Sequence, residues 1–268
     1  MNILRDNRHE GWVLSAYPDP KTAQPLIGAG FNLDVRARQH VQRNPGNPHS
    51  FLEPSARELW EAAGLDPARL QNILDRFDRD LRAWSRKRFH QKIRAYDLPP
   101  ELTQEEATRL LRISVLEAIH NARAYCDDFD GMTASQQMAL SQLVFQMGVN
   151  LEEFAQFLNA INRHAGAGEP APPVETQAEH WRFVQRTLVG TDWARRYSSR
   201  AITVIAMFDP AYDRNSWEAE REVRAWIHPL VARHRGKQRA ASLRAVKYRG
   251  HRGRGRAERR QRPHNKRS

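Results

Sequence analysis

Apolar residues recur at helical spacing along most of the chain and alternate like a strand in one stretch near the start. There, residues 12–17 read as a strand, 18–24 as a polar turn and Leu26-Ile27 as a returning strand. Glu10 closes a short helical segment ahead of this hairpin, and Gly28 and Gly30 end it. At such glycines the missing Cβ lets a ligand or another chain approach the backbone. Arg43-Asn44-Pro45-Gly46-Asn47-Pro48 is turn-forming and predicts an exposed loop. After Pro54 the spacing predicts a short helix with Leu59, Trp60 and Ala63 on one face. Asp66-Pro67 then opens a longer one carrying Leu70, Ile73, Leu74, Phe77, Leu81 and Trp84.

Further on, two capping boxes stand out. Thr103 with Glu106 starts a helix continued by Leu110, Leu111 and Val115, and Thr133 with Gln136 opens the most apolar helix of the chain. Leu140, Leu143, Val144 and Met147 give that helix its i, i+3, i+4, i+7 face, and Gly148 is placed to end it. Asn150 is read as the cap of the next helix, which runs to a Gly/Pro-rich loop from His164. Thr176 with Glu179 is read as the start of another, containing Trp181, Phe183, Val184 and Leu188. A last helix is expected over 216–245, with Trp217, Val223, Trp226, Ile227, Leu230 and Val231 as its apolar face. The expectation is an α+β chain, mostly helical, with one small N-terminal β-hairpin.

Charge divides the chain further. From Arg235 onward there are fourteen Lys/Arg and one acid, Glu258, a net +13 within a total of +12, so the body sums to −1. The stretch 247–268 is too charged and too low in complexity to collapse, and is expected to be a disordered basic tail. The single cysteine, Cys126, excludes an internal disulfide. No His-Glu-x-x-His motif or cysteine pair suggests a metal site, and no glycine-rich phosphate loop is present, so we expect neither metal nor organic cofactor. No apolar run reaches membrane-spanning length, and the first residues lack the apolar core of a signal peptide. Synthesis in the cytoplasm is therefore expected, as a monomer that reaches any substrate outside the membrane only after release by lysis or delivery by another system.

The hairpin carries the candidate chemistry. Glu10 and Asp19 lie nine residues apart, on either side of a strand. Two carboxyl groups held across a groove can serve as a proton donor and as an anion that positions water or stabilises developing positive charge. That pairing is the minimum equipment for cleaving a glycosidic bond.

Glu10-Gly11, Tyr17-Pro18-Asp19 and Leu26-Ile27-Gly28-Ala29-Gly30 resemble the hairpin of the phage-type lysozymes, glycoside hydrolase family 24. Val144-Phe145-Gln146-Met147-Gly148 is similar to that family's central C-lobe helix, and the Trp193 to Ile205 stretch to its closing segment. The resemblance covers roughly residues 1–34 and 100–208. It implies a two-lobed lysozyme-like domain over 1–210, in which the stretch 35–99, without family counterpart, reads as a helical insertion packed on the N-terminal lobe in preference to a dedicated substrate-recognition module. A helical extension over 211–246 and the basic tail would follow. It implies cleavage of the N-acetylmuramic acid to N-acetylglucosamine β-1,4 bond of peptidoglycan, with Glu10 as general acid and Asp19 as base or electrostatic partner. Arg200 would pair with Glu10, and Gly28, Gly30, Phe31 and Gln146 would meet substrate. The setting implied is phage or prophage lysis, or else an antibacterial effector.

Two departures bear on the mechanism. The turn after Asp19 is one residue longer than in the family, and Leu26 replaces a threonine thought to help hold the attacking water. Thr22 and Gln24 in that turn, and Asn32 beyond the glycines, are the candidates to replace its hydroxyl; otherwise Leu26 packs inward and Asp19 holds the water alone. The tail suits anionic cell-envelope polymers and nucleic acid equally. The rival expectation is thus a degenerate lysozyme-fold protein that binds one of these without catalysis.

Overall fold

Strand β1 (Val13–Pro18) pairs antiparallel with β2 (Pro25–Gly28), which pairs with β3 (Phe31–Asn32), so the hairpin has a third strand that its sequence did not announce. A second ribbon joins β4 (Arg38–Gln39) to β5 (Leu52–Glu53). Nine helices follow among the described residues. They are α1 (Ala56–Ala62), α2 (Pro67–Ala83), α3 (Gln104–Arg123), α4 (Ala134–Met147), α5 (Ala155–Ile161), α6 (Val174–Val189), α7 (Asp192–Arg196), α8 (Ser198–Ala206) and α9 (216–232). The computed structural model describes residues 12–19, 22–40, 49–83, 99–162 and 174–232. Glu10 and its helical segment, the turn at 43–48, Trp84, the loop from His164, the end of the helix expected to 245 and the basic tail lie outside the described residues.

Local chemistry accounts for the helix starts. Both expected capping boxes form: the Thr103 and Thr133 hydroxyls accept from the backbone N–H of Glu106 and Gln136, whose side chains reach back to the cap. Ser55 and Glu58 make a third at α1. Asp66 Oδ1 accepts from Ala68 N at 2.9 Å, with Pro67 as first residue of α2. Two expected starts are corrected. Gly148, at φ 52°, ends α4, but the chain then winds into a 3-10 helix (Gly148–Glu153) that contains Asn150, so α5 begins only at Ala155. Helix α6 begins at Val174, two residues ahead of Thr176.

Two apolar clusters form. In the first, Ala16, Ile27 and Leu33 of the sheet region pack with Trp60, Leu70, Ile73 and Phe77 of α1 and α2. The helices of the 35–99 segment therefore share a core with the strands. The second cluster centres on α4, whose Leu140, Leu143 and Val144 meet Phe157, Leu188, Val204, Ile205 and Phe208. Val223 and Ile227 of α9 belong to it too, so that helix is packed into the body over its described length. Helix α3 serves both clusters, giving Ala107 and Leu110 to the first and Ala118 and Ala122 to the second. Among the described residues, no helix is long and apolar enough to cross a membrane.

Candidate active-site groove

A bulge in β1 sets where the hairpin points. From Val13 to Tyr17 β1 advances four residues while β2 advances two, from Gly28 to Leu26. The surplus backbone groups would be orphaned, but residues 99–102 take them up. Glu101 N and Leu102 N donate to Leu14 O at 2.8 and 3.1 Å. Ser15 Oγ donates to Pro99 O at 2.7 Å, and Ala16 N to Glu101 Oε2 at 2.7 Å. Arg76 of α2 grips the same Glu101 carboxylate with two N–H groups, at 2.5 and 2.8 Å. A partly buried ion pair from α2 therefore anchors the strand that leads to Asp19.

At the end of β1 the turn is built around Asp19. Its backbone N–H donates to Gln24 O at 2.8 Å, its carbonyl accepts from Ala23 N at 3.0 Å, and Oδ1 accepts from Thr22 N at 2.7 Å. Ala23 sits in the left-handed region at φ 63°, a conformation that costs a residue with a Cβ and is held here by those flanking bonds. Three polar side chains link up beyond it. Thr22 Oγ1 lies 3.3 Å from Gln24 Oε1, and Asn32 Nδ2 donates to the same oxygen at 3.2 Å. The residues named as replacements for the family threonine form one hydrogen-bonded group.

Opposite the hairpin stand the end of α4, the following 3-10 helix, α7 and the start of α8. Between the two sides runs a groove of about 900 Å³. Tyr17, Asp19, Leu26 and Gly30 line it from the hairpin, and Phe145, Gln146, Met147, Asn150, Glu153 and Phe154 from the α4 side. Asp192, Trp193, Arg196, Tyr197 and Arg200 close it. Gln146 Oε1 accepts from Trp193 Nε1 at 3.2 Å, and its Nε2 is buried with no partner among the described residues. The Arg200 guanidinium lies 5.5 Å from the centre of the Tyr197 ring.

The expected site residues thus separate. Asp19, Gly30, Gln146 and Arg200 line one groove although they come from three separated parts of the chain. Gly28 is buried in β2 away from it, and a Cβ built there meets nothing within 4 Å, so the glycine serves its φ of 64° rather than a close approach. Phe31 and Gln24 line an inner cavity that continues from the groove, and Thr22 is exposed on the turn. Leu26 is only partly buried and lines the groove, against the alternative in which it packs inward. Among the described residues, no cluster of three or more His, Cys, Asp or Glu side chains is arranged to hold a metal ion.

The inner cavity, about 360 Å³, shares Gly30, Phe145, Gln146, Met147 and Asn150 with the groove. Its far wall carries Glu53 and Glu117, neither singled out from the sequence. Burial pushes the Glu117 carboxyl up to about 7; the nearby charge of Glu53 adds to this, and a hydrogen bond from Asn121 opposes it. Asn121 is fully buried, exchanges two hydrogen bonds with the backbone of Leu52 at 2.9 and 2.7 Å, and donates to Glu117 Oε1 at 2.6 Å. Set against protein-family models, curated proteins and solved structures, the chain matches none of them.

Proposed function

We propose that the protein is a peptidoglycan hydrolase, a muramidase on a two-lobed lysozyme-like fold, that cuts the N-acetylmuramic acid to N-acetylglucosamine bond by general acid/base catalysis. One observation carries this reading. Asp19, Gly30, Gln146 and Arg200, which the sequence resemblance singles out at separated places, line a single groove of about 900 Å³. In this mechanism Glu10 protonates the departing glycosidic oxygen, and Arg200 aids its placement. Asp19, held by the Thr22 N–H, positions the water or stabilises the developing oxocarbenium charge. The donor of Gln146 left unused among the described residues is suited to a sugar acceptor. The setting proposed is phage or prophage lysis, with release into the wall by another agent and the cationic tail holding anionic envelope polymers.

The test is loss of turbidity of a peptidoglycan suspension on adding the purified protein, with Glu10→Gln in parallel. Lysis by the wild type and none by a correctly folded Glu10→Gln is expected, since the amide keeps the shape but cannot donate as an acid. Full lysis by Glu10→Gln overturns the assignment. One observation favours a second reading: Leu26 presents an aliphatic side chain to the groove where the family has a hydroxyl. A folded wild type that binds glycan or nucleic acid yet never clears peptidoglycan is the result that reading expects.

A further inference from the structure

One wall of the inner cavity comes from the 35–99 segment, which has no counterpart in the resemblance. Phe51 and Glu53 flank and form β5, and Leu59 lies in α1, all within the 35–99 segment. Ser114 and Glu117 of α3 face them across the cavity. At about 360 Å³ it falls in the range of small-ligand sites and opens onto the groove through Gln146 and Met147. Its chemistry is mixed in a particular way. Two carboxyl groups lie close enough for one charge to act on the other, beside an apolar surface from Phe51 and Leu59. Burial, with the neighbouring Glu53 adding to it, favours the protonated Glu117 carboxyl, which can donate, and the Glu53 oxygens can accept.

A secondary amide bearing a methyl group matches that set: its carbonyl takes the proton donor, its N–H takes the anion, and its methyl meets the apolar wall. We propose, on the footing of the glycan reading above, that this cavity binds the acetamido group of one N-acetylated sugar of the substrate. Protonated Glu117 donates to the carbonyl and Glu53 accepts from the N–H. Glu117 is then a specificity residue that engages the glycan only in its protonated form.

The groups that set its charge are all at hand. From its own helix Glu117 faces the hydrogen bond of Asn121 and the neighbouring His120. From the β4–β5 ribbon come Glu53 and Arg38, with His40 Nε2 3.4 Å from Glu53 Oε2, and from α1 comes Glu58. Helix α4 adds no charge, only the neutral Gln146.

The experiment is calorimetric titration of the full-length protein with a soluble N-acetylglucosamine tetramer from pH 5.5 to 8.5, for wild type, Glu117→Gln and Glu117→Ala. Wild-type affinity should fall about tenfold across the midpoint near 7, the worth of one lost hydrogen bond. Glu117→Gln, which donates at every pH, should keep its affinity throughout, and Glu117→Ala should bind weakly throughout. Wild type and Glu117→Gln sharing one pH profile overturns the subsite and leaves the glycan reading standing. Absence of tetramer binding by every protein at every pH overturns both. A deacetylated glucosamine tetramer separates the acetamido from the ring: equal wild-type affinity for the two oligomers at pH 6 also overturns the proposal.

Discussion

Trp193 donates its indole N–H to the side-chain oxygen of Gln146, 3.2 Å away, and so ties the start of α7 to the last turn of α4. The bond fixes which end of the Gln146 amide is spent inside the protein. Trp193→Phe keeps most of the ring and removes the donor. It should lower stability by about 1 kcal/mol and slow peptidoglycan clearing several-fold, because the glutamine is then free to turn. Thermal melts and turbidity assays on the same preparation check both parts.

The Asp19 turn makes a separate prediction. Asn at position 19 can still accept from Thr22 N, so Asp19→Asn should fold and melt like the wild type while losing on the order of 10²-fold in lysis. If the linked Thr22, Gln24 and Asn32 side chains hold the attacking water, Gln24→Ala should cost as much, since Gln24 Oε1 joins the other two. If Asp19 acts alone, Gln24→Ala is silent and Leu26→Thr raises the rate.

Stability should depend on pH through Glu117. Its ordinary value is 4.5 and burial raises it to about 7, so the folded protein holds a proton that the unfolded chain releases between those values. The stabilisation is therefore present in full below about 4.5 and is lost as pH rises through about 7. Glu117→Gln has no charge to bury. It should match the wild type near pH 4.5 and exceed it by up to roughly 3 kcal/mol at pH 8.5. Denaturant titrations at both pH values measure the difference.

Glu101 is the clasp of the hairpin, and its loss should be felt at the groove. Glu101→Ala leaves the partly buried Arg76 with Asp80 as its remaining partner and Ala16 N without its acceptor. Losing that charged acceptor should cost about 1–3 kcal/mol. Lysis should fail at temperatures where circular dichroism still reports folded helix, because the strand leading to Asp19 has lost its anchor. A variant that melts and clears peptidoglycan like the wild type rules this role out.

What could be read in advance follows from the range of the interactions. Thr103 with Glu106, and Thr133 with Gln136, bond within one turn, so their side chains alone declare the helix starts. The apolar face of α4 was legible for the same reason. Strand β3 and the β4–β5 ribbon are two residues long on each side, too short for alternation to appear. The Asn150 cap failed because a positive-φ glycine can be followed by a 3-10 turn as well as by a new helix. Glu101 and Glu117 were invisible because groups far along the chain give them their surroundings: Arg76, 25 residues away, for the first, and for the second Glu53 and the Leu52 backbone that Asn121 holds. In sequence each is one more acid in a charged helical region.

Helix α3 runs for 20 residues and feeds a different apolar cluster from each end. Stripped of either cluster, half of it is an isolated segment of about ten residues, shorter than a helix needs to persist in water. Neither half of the molecule can then melt without unravelling the other's supporting turn. The described body should show a single calorimetric endotherm that coincides with the loss of ellipticity and the change in tryptophan fluorescence, and a proteolytic fragment ending within α3 should not survive as a folded piece.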